Sequence, residues 1–273
     1  MPMADVGTML VFGAVLLGAG FVAGFLGGMI GAGGGLIVIP ILYHTFTGLG
    51  VDPAVRMHLV VGTALAAVVP TSLLGARAHW LRGNVDRTIV KRLALPIFFG
   101  ASLAGAVSGH LGNRALSLGF VLAAALVSLN MMLKTGVKLG NGLPGRFCTG
   151  VIGAAIGSVS TLVGIGGATL TVPVLHAFRT PMPVAVGTAA TLGALIGLPG
   201  AIAFMIGGWG DVRVPPGSLG YVNGVAAALI FPASAVAVSW GARFTRQVNE
   251  RALRAMFAAF LALTAARMLF SLP

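Results

Sequence analysis

The sequence predicts an all-α polytopic membrane protein built from two homologous inverted-topology repeats, each with a broken or re-entrant helix pair followed by three spanning helices. Three observations carry this reading. The 273 residues are 57% hydrophobic and 8% charged, with 42 glycines, whereas a soluble domain is about 45–50% apolar and about 25% charged. Two uncharged runs are too long for one membrane crossing, and each contains a glycine cluster. The basic residues gather on one side only when the two halves are inverted. Such a composition excludes a cytosolic enzyme, a disordered chain and a secreted disulfide scaffold.

Charged residues divide the chain into its elements. The segment 1–7 holds Asp5 and no Lys or Arg, so it lacks the basic region of a secretory signal, and the first apolar segment is read as a retained membrane element. The uncharged runs 57–76, 93–113 and 115–133 each match one span of about twenty residues. Runs 180–210 and 214–242 follow in the second half, and a last helix is predicted from near Ala252, with Arg251 and Arg254 snorkelling toward the interface.

The long runs are 6–51, of 46 residues, and 147–178, of 32. The first contains Gly31-Ala32-Gly33-Gly34-Gly35 and the second Gly164-Ile165-Gly166-Gly167-Ala168. Glycine inside a helix costs about 1 kcal/mol relative to alanine. Each run is therefore read as two helices joined by a break within the membrane. The second is short for two full crossings, which predicts half-length, re-entrant helices.

These runs also match each other. At an offset of 133, Gly24 falls on Gly157, Gly31 on Gly164, Gly33 on Gly166, Gly34 on Gly167, Pro40 on Pro173 and Leu42 on Leu175. At an offset of 125, Val61-Gly62-Thr63-Ala64 aligns with Val186-Gly187-Thr188-Ala189, Gly75 with Gly200, Gly83 with Gly208 and Asp86 with Asp211. The predicted repeats are residues 1–140 and 141–273.

Charge then orients them. The net charge of +12 would point to nucleic acid in a soluble protein; here it reflects Lys and Arg collected in cytoplasmic loops, so the bilayer and not nucleic acid is the expected partner. If each long run crosses once, the 17 basic residues divide 10 to 7; if each returns to its starting side, they divide 13 to 4, with only Arg56, Arg114, Arg213 and Arg267 in the minority. The second arrangement inverts the halves and puts both termini on the non-cytoplasmic side, in keeping with a bacterial inner membrane. The single cysteine, Cys148, cannot form an internal disulfide and reads as a small packing residue.

The doubled glycine motif ending in Pro-x-Leu resembles the sulfite exporter TauE/SafE family of membrane permeases. Gly62-Thr63-Ala64-Leu65, Thr71-Ser72, His79-Trp80-Leu81-Arg82-Gly83-Asn84-Val85-Asp86, Gly220-Tyr221-Val222-Asn223 and Gly241-Ala242-Arg243 resemble it too. The resemblance covers nearly the whole chain. It implies a secondary transporter of small anions, often sulfite, sulfonates or other sulfur-containing oxyanions, with no enzyme activity and no cofactor. A serine often follows Gly-Thr in that family; Ala64 and Ala189 stand there in this chain.

Inverted-repeat carriers place their site near the midplane, at broken helices, where free amides and the helix dipole attract an anion. Gly33, Gly34, Gly35, Gly166 and Gly167 are the predicted cradle, although glycines also serve close helix packing, a role that suits Gly20, Gly24, Gly27 and Gly31. Hydroxyls donate well to sulfonate oxygens. The candidates are Thr63, Thr188, Thr71, Ser72 and Thr169, set against bonding back to their own helices. Arg77 and His79 are candidates for anion guidance or for interfacial anchoring. Asp5, Asp52, Asp86, Asp211 and Glu250 all lie outside the apolar runs, which leaves no carboxylate for an ion-coupling site and favours export of the anion along the membrane potential. An anion channel and an ion-coupled importer of a carboxylate or other small anion remain the alternatives. Monomer and homodimer stay equally open.

Overall fold

The computed structural model describes residues 6–30, 34–132, 140, 142–244 and 250–270. Gly33 of the first predicted cradle and the packing residue Gly31 lie outside the described residues, as do Lys134, Lys138 and Arg246. Among the described residues, ten helices carry the fold. The first half holds α1 (Val6–Ile30), α2 (Gly35–Gly48), α3 (Pro53–Leu81), α4 (Arg87–Ser108) and α5 (Asn113–Met132). The second holds α6 (Arg146–Val163), α7 (Ala168–Ala177), α8 (Met182–Gly207), α9 (Gly224–Phe244) and α10 (Glu250–Phe270). A two-residue antiparallel ribbon, β1 (Ser218–Leu219) with β2 (Val222–Asn223), precedes α9.

Each long apolar run resolves into a long helix, a break and a short helix. Helices α2 and α7 have 14 and 10 residues, or about 21 and 15 Å at 1.5 Å per residue, against a hydrocarbon core of about 30 Å. Among the described residues, six helices, α1, α3, α4, α6, α8 and α9, are long and apolar enough to cross a membrane. Their outward faces carry large exposed apolar side chains, among them Leu73, Leu95, Leu103 and Ile206, as a lipid-facing surface requires. Trp80, Trp209 and Trp240 are also exposed and lie toward helix ends, where amphipathic rings favour the membrane interface.

Glycines set the closest helix contacts. A Cβ on Gly20, Gly24 or Gly28 of α1 would overlap the carbonyl oxygens of Ile230, Ser234 and Val238 on α9, and one on Gly241 would overlap that of Phe25. The pair α4 and α6 meets in the same way, with Gly157 against the Ile97 carbonyl and Gly100 against that of Ala154. In both pairs the helices run side by side in one direction. Serine hydroxyls reinforce both seams: Ser234 donates to the Gly20 carbonyl at 2.8 Å and Ser158 to that of Gly100 at 3.0 Å. The matched helices α3 and α8 pack instead in opposite directions, with Gly62 against Phe204, Gly197 against Val69, Gly193 against Ser72 and Gly75 against Ala190.

Two further contacts join the halves and give the Gly-Thr pairs a role that their sequence does not disclose. Gly62 leaves room for the Tyr221 carbonyl, and Thr63 Oγ1 accepts from the Asn223 amide at 2.9 Å. Gly187 leaves room for the Asn84 carbonyl, and Thr188 Oγ1 accepts from the Asp86 amide at 3.1 Å. Asp86 and Asn223 in turn cap the next helices: Asp86 Oδ1 accepts from the Thr88 and Ile89 amides, and Asn223 Oδ1 from that of Ala226. Each cap is preceded by a glycine at positive φ, Gly83 (+71°) and Gly220 (+55°), a conformation glycine adopts without strain. The counterpart of Asp86 is thus Asn223. The constant-offset match of Asp86 with Asp211 does not hold, because the longer α8–α9 connection carries Asp211 and the ribbon ahead of the cap.

Asp211 does other work in that connection. Arg213 donates to it through Nε at 2.9 Å and Nη2 at 2.7 Å, and the Tyr221 hydroxyl donates at 3.0 Å. The Arg213 side-chain hydrogen bond, chiefly, holds the Asp211 carboxyl well below the usual carboxylate range. Burial, then the bond to Asp211, pushes the Tyr221 phenol up.

The clamps should matter to stability. Thr63→Val or Thr188→Val leaves a buried amide unpaired and should cost about 1–3 kcal/mol; Gly62→Ala or Gly187→Ala forces a loop off its helix and should cost at least about 1–3 kcal/mol. Thermal midpoints in detergent check this, and four unchanged midpoints would reject it. For Asp211 the folded-state pKa is depressed, so its contribution is present above the ordinary carboxylate range and disappears only as pH falls below it. Asp211→Asn should therefore lower the midpoint at neutral pH, with the difference persisting to about pH 4 and shrinking only in stronger acid.

Candidate functional site

The two breaks come together inside the protein. At the second, Gly164 ends α6 in the left-handed region (φ +74°), its amide bonding to the Ser160 carbonyl, and Gly166 follows at φ +71°. Helix α7 then starts at Ala168, capped by no side chain. At the first, Gly34 precedes α2, also without a side-chain cap. A Cβ on Gly35 would sit against Gly164 and Ile165, so the chain turns in the first half touch those in the second. The first amides of α2 and α7 have no helical partner upstream, and both helix starts present positive dipole ends.

One cavity lies at this meeting point, lined by Gly34 and Gly35 of the first break and Gly166, Gly167 and Ala168 of the second. Its volume is about 90 Å³, several times the ~10–15 Å³ needed by one water, which is room for a group of a few heavy atoms. Helix α3 forms one wall from Ala64 through Thr71, Ser72 and Gly75 to His79, about 22 Å along its axis. Small residues, including Ala23, Gly24, Gly27 and Gly28 of α1, form the facing wall.

The predicted site residues separate into three groups. Gly34, Gly35, Gly166, Gly167, Thr71, Ser72 and His79 line the cavity together. Thr63 and Thr188 are fully buried away from it in the clamps, and Thr169 is buried with its hydroxyl directed to the Ile165 carbonyl at 3.5 Å. Arg77 is exposed and outside the lining. Within the lining, polar capacity differs. Thr71 gives its proton to its own helix, at the Val68 and Ala67 carbonyls (2.9 and 3.0 Å), beside Pro70, whose missing amide breaks the local ladder. Ser72 adds a hydroxyl to the lining, and Nδ1 of His79 is buried without a hydrogen-bond partner among the described residues. His79 is the one ionisable side chain in the lining among the described residues.

Ser234 is a lining residue that the sequence reading missed. Its only signal was a place two residues after Pro232 in a run of small residues. Arg56, at the opposite end of α3 from His79, donates through Nη2 and Nε to the Val51 carbonyl (2.7 and 3.2 Å) and so fixes the α2–α3 turn. Asn223 is a helix cap, while the side chain of Asn130 lies outside the described ones.

Comparison with known proteins agrees with this architecture. A probable membrane transporter protein of Haemophilus influenzae is 31% identical over 263 residues, covering 95% of this chain and 99% of its own length. The probable membrane transporter protein YunE of Bacillus subtilis is 27% identical, covering 88% of this chain and 90% of its own. A probable membrane transporter protein of Methanocaldococcus jannaschii is 24% identical, covering 90% and 91%. No solved structure matches the chain. The family described as sulfite exporter TauE/SafE matches residues 16–268. With its membrane-spanning helices and its relatives all named as transporters, the chain belongs to the sulfite exporter TauE/SafE family of integral membrane transporters.

Proposed function

We propose that this transporter exports small sulfur-containing oxyanions, sulfite or a sulfonate, from a bacterial cytoplasm across the inner membrane. The observation that carries the reading is the cavity where both helix breaks meet, whose lining among the described residues holds the Ser72 hydroxyl, the unpartnered Nδ1 of His79 and no carboxylate. Its positive character comes from amides and dipole ends, and the His79 imidazole adds a hydrogen-bonding group. That suits a small anion, which a fixed buried cation would hold too tightly to release.

The sequence halves, 1–140 and 141–273, act in this proposal as inverted repeats with both termini on the non-cytoplasmic side. The antiparallel packing of the matched helices α3 and α8 supports inversion, since repeats related by an axis along the membrane normal would run those helices parallel. The division of 13 basic residues to 4 puts the His79 end of α3 in the cytoplasm. An inside-negative potential then drives export with about 2.3 kcal/mol per charge per 100 mV.

Uptake into proteoliposomes, screened over sulfite, sulfoacetate, taurine, thiosulfate and simple carboxylates, tests the substrate. A sulfur oxyanion should be preferred, with saturable counterflow; preference for a carboxylate, or single-channel currents, would overturn this reading in favour of the importer or the channel. Rates should follow an imposed potential, and rates that follow only a pH gradient would reject potential-driven export. Ser72→Ala and His79→Gln should each weaken apparent affinity by about tenfold, the value of one hydrogen bond to a charged group.

A further inference from the structure

We propose that the second half of the chain contains a closed counterpart of the cavity, a second seat for a small oxyanion formed by the hydroxyls of Ser160, Thr161 and Thr171, which opens toward the Tyr221 end as the first cavity closes. The proposal rests on the reading of the chain as an alternating-access anion carrier.

Three hydroxyls start the argument. Ser160, Thr161 and Thr171 are fully buried, and none of the three hydroxyl oxygens has a hydrogen-bond partner. Buried hydroxyls in helices ordinarily bond back to a carbonyl one turn earlier, as Thr71, Thr191 and Thr264 do here. A polar group left unpaired in a membrane interior lowers stability, so three of them at one end of α6 and the start of α7 call for a ligand in some other state of the protein.

Their positions say where that ligand sits. At the offset of 133 that relates the two glycine motifs, Gly27 corresponds to Ser160, Gly28 to Thr161 and Val38 to Thr171. All three first-half residues line the cavity. Each unpartnered hydroxyl therefore occupies a place that faces open space in the other half.

The second chamber is shut in this conformation. Gly28 and Gly75 both line the first cavity. Their counterparts, Thr161 and Gly200, pack on each other instead: a Cβ at Gly200 would lie 3.0 Å from the Thr161 methyl and 3.6 Å from its hydroxyl. The chambers also distribute their polar groups differently. In the first they sit on α3, at Thr71, Ser72 and His79; the matching α8 positions, Ile196, Gly197 and Phe204, are apolar. In the second they sit on α6 and α7. Because α8 runs against α3, the second chamber points the opposite way, toward Phe204 and the neighbouring ring of His58. An oxyanion held between the two breaks would exchange Ser72 and His79 for three hydroxyl donors. The three donors of the second seat include no ionisable side chain, which favours release.

Two measurements decide this. In a Cys148→Ser background, which removes the single native cysteine, Thr171→Cys and Ser72→Cys are each exposed to a membrane-impermeant thiol reagent in sided vesicles. Thr171→Cys should react from the Tyr221 side and Ser72→Cys from the His79 side, and sulfoacetate should change the two rates in opposite senses. A Thr171→Cys that stays unreactive while Ser72→Cys reacts, or reaction of both from one side, overturns the second chamber. This labelling holds whether or not sulfur oxyanions are the cargo, so failure of the anion reading alone leaves the wild type without sulfite uptake but with opposed accessibility. Where the wild type does carry sulfite, the isosteric pair Thr161→Val and Thr171→Val should lower uptake at least about tenfold with a thermal midpoint equal to or above wild type, since it removes only unpaired hydroxyls. Full uptake by that variant overturns the seat.

Discussion

A backbone amide exposed to hydrocarbon has no water to bond, so any helix break at membrane depth must be enclosed by protein. Everything in this fold follows from having two such breaks. They are enclosed by facing each other, Gly35 against Gly164 and Ile165, with α3 and α8 packed around them. Side chains would hold these segments apart, which is why the turns are glycine. The enclosure leaves amides and dipole ends directed at a small internal space, and a space with that character draws an anion with no fixed charge in its walls. The same requirement governs the Gly-Thr pairs, where a threonine oxygen satisfies a loop amide at the start of a helix from the opposite half.

The polytopic helical class, the two breaks and most of the spans were legible in the sequence because they depend on local quantities: runs without charge, glycine density, and a motif repeated at a fixed offset. Of the lining, Gly34, Gly35, Gly166, Gly167, Thr71, Ser72 and His79 were singled out in the sequence, whereas Gly24 and Gly27 were read there as packing residues and Gly28 was not singled out. Thr63 and Thr188 were not. Their symmetry identified them as paired, but the partner of each lies 160 or 102 residues away in the chain, and no spacing rule connects a helix hydroxyl with the cap of a distant helix. The equivalence of Asp86 with Asn223 was hidden by the ribbon before α9, which lengthens one connection and breaks the constant offset. Ser234 was hidden because a serine that bonds a neighbouring helix and one that bonds its own look alike in sequence.

The electrostatic economy of the site is also uneven. The full ion pair and its tyrosine partner, Asp211, Arg213 and Tyr221, are placed in the α8–α9 connection, outside the spans, where water lowers the cost of charge. Within the cavity lining, among the described residues, polarity is confined to hydroxyls, amides and His79. Strong interactions fix the loops, and weak ones face the path an anion would take.

The seams between α1 and α9 and between α4 and α6 touch backbone to backbone, and such surfaces have no side chains to repack if they slide. Each pair therefore behaves as one stiff beam, and each beam takes one helix from either half of the chain. The bodies that can move against each other are thus not the two stretches a reader would cut from the sequence. Severing the chain between α5 and α6 would yield two fragments, each owning half of both beams, and neither would be a machine part by itself.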